Sequence, residues 1–191
     1  MSHHRFDPEK ASLLLNPERK EKLPPDQILA LLELKKGDIV ADLGSGNGFF
    51  SIPIAQKTET TVYAVDIEPK MLDGLKAYAS QEGVTTIRPI VSDLTEMAIA
   101  NQAVDKIFSS LVMHEISDLE KAIQEMRRIL RPNGKLLILD WEAVDMNEGP
   151  PLSVRIPSDK LKAVFEGQGF YVEKRKINEG IYALKMSMLE K

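Results

Sequence analysis

Three acidic residues close successive apolar runs in the first half of the chain: Asp42, Asp66 and Asp93. Directly after the first comes Gly44-Ser45-Gly46-Asn47-Gly48, with glycine at alternate positions. Glycines so spaced let the backbone turn tightly and bring its amides against a ligand at a helix N-terminus. A carboxylate at Asp66 can accept both hydroxyls of a ribose and would repel a 2′-phosphate. Ser92-Asp93-Leu94 adds a second acid that can accept from an adenine amino group. Asp42, two residues before Gly44, would repel a pyrophosphate but attract an ammonium. Each acid alone has a structural use, because aspartate at a strand end often caps the next helix. Together they describe a site for an adenosine-bearing, cationic ligand.

A second group of residues suits proton transfer. His114 is the only histidine besides His3 and His4, and an imidazole titrates near neutrality. It can serve as a general base or hydrogen-bond an acceptor oxygen; the alternative is that His114 and Glu115 simply begin the next helix. Trp141 offers an apolar wall, or plain core.

These residues must be positioned by alternating elements. Short apolar runs at 38–43, 61–66, 86–91, 104–109 and 135–140 read as buried strands. Helical periodicity separates them: a helix opening at Pro25-Asp26 and ending near Gly37, then helices at 49–57 and from Pro69 to about Gln81. Ser117 and Glu120 form a capping-box pattern opening a helix to about Leu130, and Pro132-Asn133-Gly134 reads as a turn into the fifth strand. After a helix from Ser158-Asp159 to Gln168, strands at 170–176 and 180–188 are joined by Ile177-Asn178-Glu179 alone. So short a link forces them antiparallel. Strand–helix alternation means an α/β fold with a parallel sheet covered on both faces, and ligands bind beyond its carboxyl strand ends.

Composition narrows the partners. The 191 residues suit one domain, and a net charge of −4 provides no field to hold nucleic acid. Zero cysteines exclude disulfides, thiolate metal sites and a cysteine nucleophile. The opening MSHHRFDP has no signal-peptide apolar run, and no stretch is long and apolar enough to span a membrane, so a cytoplasmic location without stable membrane insertion is expected.

The cofactor question turns on one position. A dinucleotide fold wants G-x-G-x-x-G, but Phe49 stands where the third glycine would fall. The stretch Val40-Ala41-Asp42-Leu43-Gly44-Ser45-Gly46-Asn47-Gly48 resembles motif I of the class I S-adenosylmethionine-dependent methyltransferases. Asp66 resembles that family's acid after strand two, Ser92-Asp93-Leu94 its adenine-side motif, and Arg131-Pro132-Asn133-Gly134-Lys135-Leu136 its turn before strand five. The resemblance implies a Rossmann-like seven-stranded sheet of order 3-2-1-4-5-7-6 with strand seven antiparallel. It also implies that S-adenosyl-L-methionine is held by Asp42, Gly44, Ser45, Gly46, Asn47, Gly48, Asp66, Ile67, Ser92, Asp93, Leu94, Ser110 and Leu111. Arg5-Phe6-Asp7-Pro8 and Met113-His114-Glu115 are similar to segments of the branch related to the ubiquinone and menaquinone C-methyltransferases.

On this reading residues 26–191 form one methyltransferase domain. Residues 1–25 and the loop around Asn147-Glu148-Gly149-Pro150-Pro151 are expected to cover its pocket. Phe6, His114 and Trp141 are the candidate acceptor-pocket residues. Ser109-Ser110-Leu111-Val112 replaces the Asn/Asp-Pro-Pro-aromatic motif of DNA amino-methyltransferases, and the missing cysteines exclude cytosine-C5 and arsenite chemistry. The serines after the fourth strand leave a catechol-type magnesium site short of ligands, so no metal is expected. A small organic or lipid-like acceptor and a monomer or homodimer are the resulting expectations. A nicotinamide-dependent oxidoreductase and a non-catalytic cofactor-binding module are the alternatives.

Overall fold

Alternating side chains along each strand divide the interior into two cores. In the computed structural model, which describes residues 16–189, Leu136 and Ile138 of strand β5 (Leu130–Trp141) point into one core while Leu137 and Leu139 point into the other. Strand β1 (Val40–Leu43) does the same, with Ala41 and Leu43 opposite Val40. Such two-sided burial explains why these strands read as continuous apolar runs.

Helices supply the matching faces. On one side lie α2 (Pro25–Leu32), α3 (Ser51–Thr58) and α4 (Pro69–Gln81), contributing Leu29, Ile52, Leu72 and Leu75. On the other lie α5 (Leu119–Ile129), through Ala122, Ile123, Met126 and Ile129, and α6 (Ser158–Gly167), through Leu161 and Phe165. Each of the larger side chains among these, the leucines, isoleucines, Met126 and Phe165, contributes about 1.5–3 kcal/mol when fully buried.

The strands β2 (Val62–Asp66), β3 (Ile87–Val91), β4 (Val104–Ser110), β6 (Phe170–Lys176) and β7 (Ile181–Met188) complete a sheet of order β3-β2-β1-β4-β5-β7-β6. The β1–β2, β1–β4, β2–β3 and β4–β5 pairs are parallel, whereas β7 runs antiparallel to both β5 and β6. This is the expected topology. The order reverses between β1 and β4, which opens a crevice beyond their carboxyl ends.

Several boundaries differ from the sequence reading. Helix α2 stops at Leu32 because Glu33 adopts a left-handed conformation (φ 55°), well before Gly37. Helix α5 is capped by Asp118, whose side chain accepts from the Lys121 amide, so Ser117 is not the cap. Strand β5 starts at Leu130, and the expected turn at residues 132–134 lies within an irregularity of the strand, where the register shifts between Val104–Leu130 and Lys106–Lys135. The short helix α1 (Pro17–Lys22), begun by the Asn16 side chain and Pro17, has no counterpart in the sequence reading. No described helix is long and apolar enough to cross a membrane.

Candidate active site

Leu111 leaves β4 in a left-handed conformation (φ 63°), a sharp turn that costs a non-glycine residue about 1–2 kcal/mol. The turn presses Val112 against Gly44 (φ 72°). A Cβ on Gly44 would lie 2.3 Å from a Val112 methyl, so only glycine fits there. This contact joins the β1 and β4 ends into the floor of a cavity of about 510 Å³. That volume lies within the range of small-molecule sites.

Most of the expected residues meet there. Asp42, Gly44, Ser45, Gly46, Asn47, Asp66, Ile67, Ser92, Asp93, Leu94, Ser110, Leu111, His114 and Trp141 all line the cavity. Gly48 does not: its backbone (φ 93°) packs on helix α4, and a Cβ there would lie 3.1 Å from Leu75. Its glycine serves the turn and the helix packing rather than the cavity wall. Phe6 lies outside the described residues. Of the two expected covers, Arg19 from the N-terminal segment and Gly149 and Pro150 from the loop after β5 line the cavity. Lys22 and Glu148 join those two segments in an ion pair at 2.7 Å.

The acids hold the glycine turn as well as facing the cavity. Asp66 accepts from the Gly46 amide at 2.8 Å and from the Glu68 amide at 2.9 Å. Burial raises its pKa, against the pull of those two amides. Asp42 is buried and accepts from the Ser51 hydroxyl at 2.5 Å. Burial pushes its pKa up to about 7, against the opposing Ser51 hydrogen bond. Asp93 accepts from the Thr95 amide, closing a turn after β3.

The segment around His114 is more constrained than the sequence indicated. Met113–Glu115 forms a single 3-10 turn rather than the start of α5. The Nδ1 atom of His114 lies 2.7 Å from Oδ1 of Asp140, and the other Asp140 oxygen accepts the His114 backbone amide at 3.0 Å. The Trp141 amide donates to Oδ1 as well. The His114 and Asp140 side chains are 3% and 0% exposed. Burial pushes the imidazole pKa down, but the hydrogen bond and charge of Asp140, with the charge of Glu115, hold it above its ordinary value. Sequence reasoning placed Asp140 at a strand end without its partner, which is 26 residues away.

The cavity fits an adenosyl cofactor. Ser45 and Ser110 each keep a buried hydroxyl oxygen with no hydrogen-bond partner in the described protein, both on the cavity wall. Buried hydroxyls ordinarily find partners, so these two are available to a polar ligand. Ile67, directly after Asp66, is 42% exposed, an apolar surface beside the acid suited to cover a base.

The sheet order and this crevice define a class I S-adenosylmethionine-dependent methyltransferase fold. Residues 41–138 match the family model described as a methyltransferase domain, and the chain belongs to this family. Among curated relatives, it is 32% identical over 117 residues to a malonyl-[acyl-carrier protein] O-methyltransferase of Methylococcus capsulatus, covering 54% of this chain and 42% of that one. It is 28% identical over 110 residues to a 2-phytyl-1,4-naphtoquinone methyltransferase of Trichormus variabilis, covering 56% and 48%. The matches span from 18% to 50% of the lengths of such relatives. A solved S-adenosylmethionine-dependent methyltransferase from Aquifex aeolicus superposes with a TM-score of 0.91 at 25% identity, covering 97% of this chain and all of that one.

Proposed function

We propose that the protein transfers a methyl group from S-adenosyl-L-methionine to a small organic or lipid-like acceptor, with His114 as the general base. The observation that carries the proposal is that His114, on the wall of the cavity that also holds Asp42, Asp66 and Asp93, is hydrogen-bonded to the buried Asp140. Relatives that act on a malonyl group and on a naphthoquinone support an acceptor of this size.

Roles follow from position. Asp66 would hold the ribose hydroxyls, and Ile67 with Ser92, Asp93 and Leu94 the adenine. Gly44, Ser45, Gly46, Asn47, Ser110 and Leu111 would line the bound cofactor, and Asp42 would offset its ammonium. When bound, the cofactor supplies an electrophilic sulfonium methyl and a neutral thioether leaving group.

The protein's own contribution is alignment and one proton. A carboxylate only accepts, so the Asp140 contact places the imidazole proton on Nδ1 and leaves Nε2 as the basic nitrogen. Nε2 can take the proton that the acceptor loses as its lone pair or carbanion forms the new bond to the methyl carbon. Trp141, against which the Arg155 guanidinium packs at 5.6 Å, gives the acceptor an apolar wall. Alignment of this kind supplies roughly 7–11 kcal/mol of a barrier.

The test is calorimetry with S-adenosylhomocysteine, followed by transfer of labelled methyl to a panel of hydroxylated aromatics, quinols and short acids. Binding, and transfer that falls with His114→Ala, is expected. No binding at millimolar ligand would overturn the proposal.

A further inference from the structure

One cation on the cavity wall has no hydrogen-bond acceptor among the described residues. Arg19 of helix α1 lines the cavity, and its guanidinium lies 4.9 Å from the centre of the Phe49 ring, directly after the glycine turn. Its Nε is buried with no acceptor among the described residues. Every other described arginine donates a side-chain hydrogen bond: Arg88, Arg127, Arg128, Arg131, Arg155 and Arg175. Burial lowers the Arg19 pKa to about 10, which leaves it charged at neutral pH. Among the described lining residues it is the only arginine or lysine, whereas Asp42, Asp66, Asp93 and Glu115 are acidic.

A partly buried cation with no anion among the described residues is unfavourable, and the face of one phenylalanine offsets only part of that cost. Stacking occupies the guanidinium face and leaves its in-plane N–H donors, a fork that matches a carboxylate. We infer that Arg19 is the carboxylate-binding residue of this cavity. The inference rests on the methyltransferase reading, which supplies one such carboxylate in the cofactor's methionine moiety; a carboxylate-bearing acceptor is the other source. Either would neutralise a charge that no described residue pairs.

The test compares wild type with Arg19→Met by calorimetry. Decarboxylated S-adenosylmethionine keeps the sulfonium and the ammonium and lacks only the carboxylate. If Arg19 holds the cofactor, wild type prefers intact S-adenosylmethionine by roughly 10- to 100-fold, and the variant loses that preference. Methylthioadenosine, which has no amino-acid moiety, should bind both proteins equally, showing that the variant is folded. If Arg19 holds the acceptor, the cofactor preference is unchanged, and benzoate binds the S-adenosylhomocysteine-loaded wild type but not the loaded variant. An Arg19→Met protein that matches wild type in both comparisons overturns the inference. Failure of the wild type to bind any adenosyl ligand would instead sink the methyltransferase reading, while benzoate binding that needs Arg19 would keep the anion site.

Discussion

Asp140 accepts three hydrogen bonds around His114: from its Nδ1, from its backbone amide and from the next residue's amide at Trp141. One carboxylate at the end of β5 therefore fixes both the main chain and the ring orientation of a histidine that follows β4. His114 lies in a one-turn 3-10 segment packed on β5, so the carboxylate holds it by hydrogen bonds in addition to packing.

The His114 pKa follows from that contact. Burial alone would lower it, and Asp140 with Glu115 raises it above the ordinary value of about 6.5. Asp140→Asn should bring it down, as read by NMR of the imidazole protons against pH. A group whose folded pKa is raised stabilises the fold fully below its unfolded pKa and loses that contribution as pH rises through the folded one. The stability lost in Asp140→Asn should thus be larger at pH 5.5 than at pH 9 in urea titrations. In turnover, His114→Ala should cost about 10²–10⁴-fold. Asp140→Asn should move the alkaline-rising limb of the rate profile to lower pH. An unmoved imidazole titration in Asp140→Asn would remove its positioning role.

Asp42, whose pKa is also raised, shifts stability with pH in the same direction. Burial raises its pKa to about 7, so the folded protein takes up a proton there that the unfolded chain does not bind until about pH 4. The free protein should consequently gain stability from this group as pH falls from 7 toward 4. A ligand ammonium beside Asp42 favours the ionised form, so binding below pH 7 must expel the proton. Affinity for S-adenosylhomocysteine should fall by up to about tenfold per pH unit below 7, with proton release detectable in buffers of different ionisation enthalpy. Asp42→Asn should bind more weakly, without that pH dependence. Affinity that stays constant from pH 8 to 6 in the wild type would separate Asp42 from the ammonium.

Much of this site could be read before any coordinates, because its parts are local. A glycine turn, a strand-ending acid and an apolar run each leave a signature within a few residues, and Asp42, Gly44, Asp66 and Asp93 fell into one cavity as expected. What was missed depends on contacts between distant segments. Arg19 stands in a polar stretch, Asn16-Pro17-Glu18-Arg19-Lys20, where nothing distinguishes a solvated charge from a buried one. The partnership of Asp140 with His114 exists only because β5 lies beside β4 in the sheet. Gly48 falls outside the cavity lining for a related reason: the glycine spacing is the same whether the missing side chain makes room for a ligand or for Leu75.

Asp66 carries two duties, and its removal should expose both. Its carboxylate holds the Gly46 amide and faces the cavity where a ribose would lie. Asp66→Ala should weaken S-adenosylhomocysteine binding by about 1–3 kcal/mol through unmade buried hydrogen bonds. It should also lower the stability of the free protein, because the Gly46 and Glu68 amides lose their acceptor. Calorimetry and thermal unfolding separate the two effects. Unchanged affinity with reduced stability would confine Asp66 to holding the turn.

The floor of the cavity rests on Gly44 and Val112, and a double substitution can divide its two constraints. Gly44 has a left-handed backbone that costs an alanine about 1–2 kcal/mol, whatever surrounds it. A new Cβ would also meet Val112 at 2.3 Å, an overlap that must be relieved at about 1–3 kcal/mol. Gly44→Ala should therefore destabilise by the sum of both. Val112→Ala removes the colliding methyls but leaves the backbone strain, so the double variant should recover only the second part, a coupling of about 1–3 kcal/mol in a denaturation cycle. Binding should follow the same division, because relaxing the clash in the single variant means moving the 111–114 turn and with it His114. Strict additivity of the two substitutions would show that the β1 and β4 turns do not support each other.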